Sequence, residues 1–270
     1  MVVFLLKGDG YMRDEAAVFY IGVINQLIEA GTVSISDRVL VVCGGPLDEM
    51  VMRQAQLSDF TISNLDDGAA NHRQYAENLT FDDGSFDIVV VHAGLHHCHS
   101  PHRALLEMYR VARKAVIVLE ARDSLSMRIA KLAGFTPDFE LEAVTHEGYE
   151  SGGVGNGPIP NFIYRWTERE VEKTIRSFDP AHVEHIRYFY GLRLPNIRFE
   201  KTNRPLRRIA LKALMPAAIA FSKLFPKQGN QFGFAIIKTG KLRHWLEYHS
   251  GKVRVSRQRA EQLGQSYRPT

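Results

Sequence analysis

Six side chains able to carry a proton or ligate a metal crowd the eleven residues HAGLHHCHSPH: His92, His96, His97, Cys98, His99 and His102. Imidazole titrates near neutrality, so His96 or His97 suits the removal of a proton from a nucleophile. The alternative is that these rings only shape a pocket wall. The same ligand types suit zinc, yet neighbouring side chains along a chain rarely converge on one ion. No closed four-ligand spacing is present, and no metal is expected. Glu120 closes the run AVIVLE, and Asp123 follows in EARDS. A carboxylate there would hydrogen-bond a histidine or a substrate hydroxyl, or cap a helix. His146 is a more distant candidate base.

A second informative segment is VLVVCGGPLDEM, residues 39–50. A strand that runs into a glycine turn and then a helix lets main-chain N–H groups approach a ligand without a Cβ in the way. Cys43, Gly44, Gly45 and Pro46 form that turn. The glycines are adjacent, so this is not the spaced G-x-G-x-x-G fingerprint, and a nicotinamide oxidoreductase is disfavoured.

The elements that must position these residues follow from periodicity. Asp14–Ala30 repeats apolar residues at helical spacing and stops at Gly31. The runs VLVVC, FDIVVVH and AVIVLE are apolar on both faces and rich in β-branched residues, the pattern of buried parallel strands. Phe60–Asn64 is a further strand, and Asp48–Gln56 a helix. Ser100 and Pro101 open a helix as N-cap and first residue, and Thr167 with Glu170 forms a capping box for Glu168–Ser177. His182–Tyr190 and Gln231–Lys238 alternate and are expected to pair. Strands alternating with helices imply an α/β domain with a mainly parallel sheet. The segments 121–163 and 195–228 break the alternation after strand carboxyl ends, where open sheets hold ligands, and are expected to build a cap.

The run Ala76–Glu120 resembles the class I S-adenosylmethionine-dependent methyltransferases, and most closely the type-11 group that includes the ubiquinone and menaquinone methyltransferases. Leu79, Phe81, Asp83, Ser85, Phe86, Asp87, His97, Pro101, Glu107, Arg110 and Val111 fall into that group's register. The resemblance implies a Rossmann-like α/β fold with a seven-stranded, mainly parallel sheet whose last strand is antiparallel. It also implies S-adenosyl-L-methionine as cofactor and in-line methyl transfer. On this footing Cys43, Gly44, Gly45 and Pro46 cradle the methionine end of the cofactor. The ribose acid of the family is replaced by Asn64, with Leu65 and Asp66 following. The adenine-contacting acid is replaced by Tyr75, before Ala76 and Glu77. His92, Ala93 and Gly94 complete the cofactor side. His97, His96 and Glu120 are the candidate catalytic residues, with O-methylation of a small-molecule, glycan or natural-product acceptor as the expected reaction. A catalytically silent cofactor-binding module is the alternative.

Composition bounds the rest. The 270 residues are 45% hydrophobic and 24% charged, ordinary values for a globular chain. Two cysteines give no sign of an oxidising compartment, and the opening MVVFLLKGDG has neither a basic leader nor a cleavage pattern, so the cytoplasm is expected. Charge is unevenly placed. Residues 1–194 carry 18 Lys+Arg against 27 Asp+Glu, whereas residues 195–270 carry 16 against 3. An anionic acceptor follows naturally. A nucleic acid, and hence a nucleic-acid methyltransferase, ranks lower because no binding module accompanies the charge. The stretch 204–225, with Arg204, Arg208 and Lys212 at helical spacing and an interruption expected at Pro216, suits a cap or a peripheral membrane contact. One domain over 1–240 with a basic tail over 241–270 is the expected organisation; the sequence carries no signal for an oligomeric state.

Overall fold

The computed structural model describes residues 15–66, 72–193 and 205–266. Seven strands form one sheet: β1 Val39–Val42, β2 Phe60–Asn64, β3 His72–Arg73, β4 Phe86–His92, β5 Ala112–Ala121, β6 His182–Gly191 and β7 Gln231–Leu242. Their order is β3-β2-β1-β4-β5-β7-β6. The first five run parallel, and β7 is antiparallel to both β5 and β6. This is the Rossmann-like methyltransferase order, and β6 and β7 pair as their alternation predicts.

The apolar runs are buried on both faces because helices cover both. Val39 and Val41 of β1, Ile88 and Val90 of β4, and Ile117 of β5 join Tyr20, Val23, Ile24 and Leu27 of α1 (Glu15–Glu29) and Val51 and Met52 of α2 (Pro46–Gln54). Leu40, Val42, Val89, Val91, Val116 and Val118 face the other way. They meet Leu105 and Met108 of α3 (Pro101–Val111) and Val171 and Ile175 of α6 (Glu168–Phe178). Such two-sided burial, at roughly 25 cal/mol per Å² of apolar surface, fixes the strand register.

Capping residues set the helix starts. Ser100 Oγ accepts the Arg103 amide, and Thr167 Oγ1 accepts the Glu170 amide at 3.2 Å. The helix expected from Asp48 instead begins at Pro46, because Gly45 is the N-cap and proline suits the first position. It ends early, as Gln56 turns to φ 60°. Strand β3 was not legible: it is two exposed polar residues that pair with Ser63 and Asn64.

Between β5 and α6 lie two short helices, α4 (Leu125–Leu132) and α5 (Leu141–His146). The interruption expected at Pro216 does not occur: α7 runs unbroken through it from Pro205 to Leu224. One proline removes a single ladder bond, which a twenty-residue helix tolerates. Arg204 lies outside the described residues, as do the side chains of Arg208 and Lys212. Residues beyond β7 form a hairpin, β8 (Leu246–His249) with β9 (Lys252–Val255), and α8 (Arg257–Ser266). Among the described residues no helix is long and apolar enough to cross a membrane.

Candidate functional site

The carboxyl ends of β1, β2 and β4 meet at one edge. After β1 the chain turns at Cys43 (φ 54°), and after β4 at Ala93 (φ 51°). The two turns touch: a Cβ on Gly94 would lie 2.5 Å from Cys43 Cβ. The two turn glycines differ in role. A Cβ on Gly44 would strike Val41 Cγ1 at 2.7 Å and Ile62 Cγ2 at 3.0 Å, inside the core, whereas one on Gly45 would meet nothing within 4 Å. Gly44 therefore packs the turn onto the sheet, and Gly45 leaves the open space a ligand needs. Pro46 starts α2, whose N-terminal dipole favours an anionic group nearby.

Beneath the turn, Asp48 is buried and accepts the Gly45 amide at 2.9 Å. Burial pushes its carboxyl up to about 6, against the opposing pull of that amide and of the Tyr20 hydroxyl. Tyr20 in turn stacks on His92, with ring centroids 4.8 Å apart.

The polar groups expected on the cofactor divide. Asn64 spends its side chain on the backbone, with Nδ2 donating to the Gly44 carbonyl and Oδ1 accepting the Leu65 amide. This pins the glycine turn; Asp66, at the same strand end, is exposed. Glu77 accepts the Ser100 and His99 amides at the start of α3. Tyr75 is 58% exposed and Ala76 is buried behind it.

Several residues in the family register are a clamp. Arg110 donates to the carbonyls of Leu79 and Phe81 and pairs with Asp83 and Glu107, while Glu107 accepts the Leu79 amide. Asp87 accepts the Arg38 amide and binds Arg113.

The histidine segment folds into a 3-10 turn, Leu95–His97, that faces the end of β5. Glu120 is buried there; its Oε1 accepts the Leu95 amide and its Oε2 lies 2.7 Å from His96 Nδ1. The far side of His96 meets Glu140, with Nε2 3.3 Å from Oε2. His97 Nε2 lies 3.6 Å from the same carboxylate oxygen. Burial alone would lower the His96 pKa, but Glu120 and Glu140 raise it to about 10. The two carboxylates thus favour the charged form of His96, which sets it apart from its neighbour. Burial and the adjacent His96 cation lower the pKa of His97. Glu140 is drawn down to about 2, first by its bond to His96.

Glu140 is the residue sequence reasoning missed. It sits just before α5, held by the buried Asn161, which takes the Glu140 amide on its carbonyl and donates Nδ2 to Oε2 at 3.3 Å. The other candidates lie apart. Asp123 pairs with Arg128, His146 is exposed at the end of α5, and His102 bonds Glu170 at 3.0 Å. Cys98 lies beside Cys43, whose thiol together with burial pushes that of Cys98 up.

Residues 47–119 match the family model of a methyltransferase domain, type 11. No curated protein sequence matches the chain. Among solved structures, a methyltransferase from Thermotoga maritima described as a possible histamine N-methyltransferase is similar at 13% identity. The match covers 83% of this chain and 92% of that one, with a TM-score of 0.46. The magnesium protoporphyrin IX methyltransferase of Synechocystis PCC 6803, solved with S-adenosylhomocysteine, is similar at 10% identity over 87% and 90%, with a TM-score of 0.47. A plantazolicin methyltransferase bound to the same product is similar at 11% over 84% and 87%, with a TM-score of 0.49.

Proposed function

We propose that the chain, whose residues 47–119 match a methyltransferase domain, is an S-adenosylmethionine-dependent methyltransferase that methylates a hydroxyl on a small-molecule or glycan acceptor. The observation that carries this reading is the cluster of His96, His97, Glu120 and Glu140 at the ends of β4 and β5. It stands beside the glycine turn, where acceptor and cofactor would meet. A hydroxyl must lose its proton as its oxygen is alkylated, and a wall of imidazoles and carboxylates suits that need.

The residues present fit the cofactor. The open space at Gly45 is the cradle for its methionine end, with Cys43, Gly44 and Pro46 shaping the turn. Asp66, next to Leu65, would take the ribose, and Tyr75 and Ala76 would flank the adenine. His92, Ala93 and Gly94 would close the side toward the acceptor. When bound, the cofactor supplies an electrophilic methyl on a sulfonium. The chain's own part is to align the acceptor oxygen and exclude water, worth several kcal/mol of a barrier. Of the two histidines, His97 is the more open, with 30% of its side chain exposed against 9% for His96. The acceptor's proton is drawn off there, while His96, Glu120 and Glu140 hold the ring in place.

An anionic acceptor follows from charge: α7 carries Arg207, Arg208, Lys212 and Lys223 and no acid. A lipid-linked acceptor presented at a membrane surface is a second reading, favoured by one feature. Leu125, Ile129 and Leu132 make an exposed stripe at i, i+4, i+7 on α4, whose start is hydrogen-bonded to Gln228 beyond α7. Leu224 and Phe225 are exposed nearby in the chain. Flotation with anionic but not neutral vesicles tests it.

The central test is transfer of labelled methyl to panels of hydroxyl, amine and thiol acceptors. Label should appear as an ether. His97→Ala should lower turnover about a hundredfold with S-adenosylhomocysteine affinity unchanged. Label only on amines would refute O-methylation.

A further inference from the structure

We propose that His96, His97 and Glu140 form a binding site for one divalent first-row cation of the zinc type. The inference deepens the methyl-transfer reading and rests on it for the ion's role, but the site itself stands on geometry. Three donor atoms of the kinds such ions take, two imidazole nitrogens and a carboxylate oxygen, converge within 4.8 Å of one another. The separations of Glu140 from the two imidazoles suit an ion. Ligand bonds of 2.0–2.1 Å in a tetrahedron place donors about 3.3–3.4 Å apart. Glu140 Oε2 lies 3.3 Å from His96 Nε2 and 3.6 Å from His97 Nε2.

The groups behind the donors point the same way. Glu120 holds His96 by Nδ1 and is itself fixed by the Leu95 amide, so Nε2 is presented outward. A carboxylate behind a histidine in this manner orients the ring and raises its basicity toward a metal. The Gly153 carbonyl supports the ring of His97. Asn161 steadies Glu140. Two carboxylates face two imidazoles here, so a dication would balance the local charge once both rings are neutral. Adjacent histidines reach one point only because residues 95–97 form a 3-10 turn, which places the two ring centroids 4.5 Å apart.

Three protein donors leave a coordination position open, on the side where His97 and Glu140 are partly exposed. An acceptor hydroxyl or carboxylate oxygen would fill it. The cation would then hold that oxygen in line and, for a hydroxyl, make its proton easier to lose to solvent on the exposed side, as the O–CH3 bond forms and the sulfonium S–CH3 bond breaks to leave S-adenosylhomocysteine; His97 would serve as a ligand rather than as a bare base.

The test is binding of zinc and cobalt(II) to chelator-stripped full-length protein, followed by calorimetry and by the cobalt visible spectrum. Wild type should bind one equivalent with low-micromolar or tighter affinity and give intense tetrahedral cobalt bands. His96→Ala, His97→Ala and Glu140→Gln should each weaken binding at least a hundredfold. Glu120→Gln should weaken it ten- to a hundredfold. S-adenosylhomocysteine titrations on the same samples report whether each variant is folded and whether the cofactor half is intact. Zinc binding by wild type no tighter than by the His96→Ala/His97→Ala double variant overturns the site. That result would leave methyl transfer standing if His97→Ala still lowers turnover, whereas failure of the wild type to bind S-adenosylhomocysteine would strike the methyl-transfer reading instead.

Discussion

Gly45→Val and Gly44→Val should fail in opposite ways. At Gly45 the backbone is extended, with φ −148° and ψ −163°, which valine adopts readily, and an added Cβ meets nothing within 4 Å. Gly45 is also the N-cap of α2, where exchanging glycine for a β-branched residue costs at most ~1 kcal/mol. A chain of this size loses about 2–4 °C of Tm per kcal/mol, so the variant should melt within ~4 °C of wild type. Its new methyls would fill the cradle, and S-adenosylhomocysteine should bind at least ~100-fold more weakly, about 2.7 kcal/mol. At Gly44 the first added atom already overlaps Val41 Cγ1 at 2.7 Å and Ile62 Cγ2 at 3.0 Å, and both neighbours are buried strand residues. Overpacking of this kind costs about 1–3 kcal/mol. Differential scanning calorimetry and isothermal titration on the two variants measure both quantities. A folded Gly45→Val that binds with wild-type affinity would refute the assignment of the cradle.

Asp48→Asn should flatten the acid side of the stability curve. The folded carboxyl titrates at about 6 against an ordinary 3.8, so between those values the folded state keeps a proton that the unfolded chain has lost. Wild-type stability should therefore fall as pH rises from about 4 to 6, by about 3 kcal/mol at most, and the asparagine variant should lack that decline in denaturant titrations. Arg110→Met removes bonds to two carbonyls and two carboxylates. It should cost about 2–3 kcal/mol, a drop of roughly 5–10 °C in Tm, while methionine preserves the side-chain length. Glu140→Gln should lower turnover without changing S-adenosylhomocysteine affinity, read from single-turnover rates and calorimetry. A matching loss of cofactor affinity would place Glu140 on the wrong side of the pocket.

Much of this architecture is legible from local rules. The strands VLVV, FDIVVVH and AVIVLE announce themselves because burial on both faces selects continuous apolar runs, and Ser100 and Thr167 announce the helices they cap. Strand β3 is invisible because two polar residues at the sheet edge carry no apolar signal; only pairing to β2 defines it. The difference between Gly44 and Gly45 is invisible for another reason. It depends on which way a missing Cβ would point, and that is set by the turn at Cys43. Charge state is equally hidden: His96 and His97 are identical in sequence terms, and only the carboxylates on both sides of His96 separate them.

The site's two halves are encoded differently, and this explains where sequence reasoning stops. The proposed cofactor half comes from the turns after β1, β2 and β4. Its support is a clamp of Asp83, Glu107 and Arg110 that the family register preserves. Turn glycines and strand-end polar groups of this kind point to a cofactor and name no acceptor. The other half depends on an ion pair between residues 44 positions apart, across α3, β5 and α4. Glu140 reaches His96 because Asn161 and the Phe139–Phe162 bridge fold the 121–163 segment back onto itself. Nothing in the spacing of that Gly- and Pro-rich loop announces such a contact. On the proposed reading the acceptor side lies on the 121–163 insertion, and changes at Glu140 or Asn161 should alter acceptor use more than cofactor affinity.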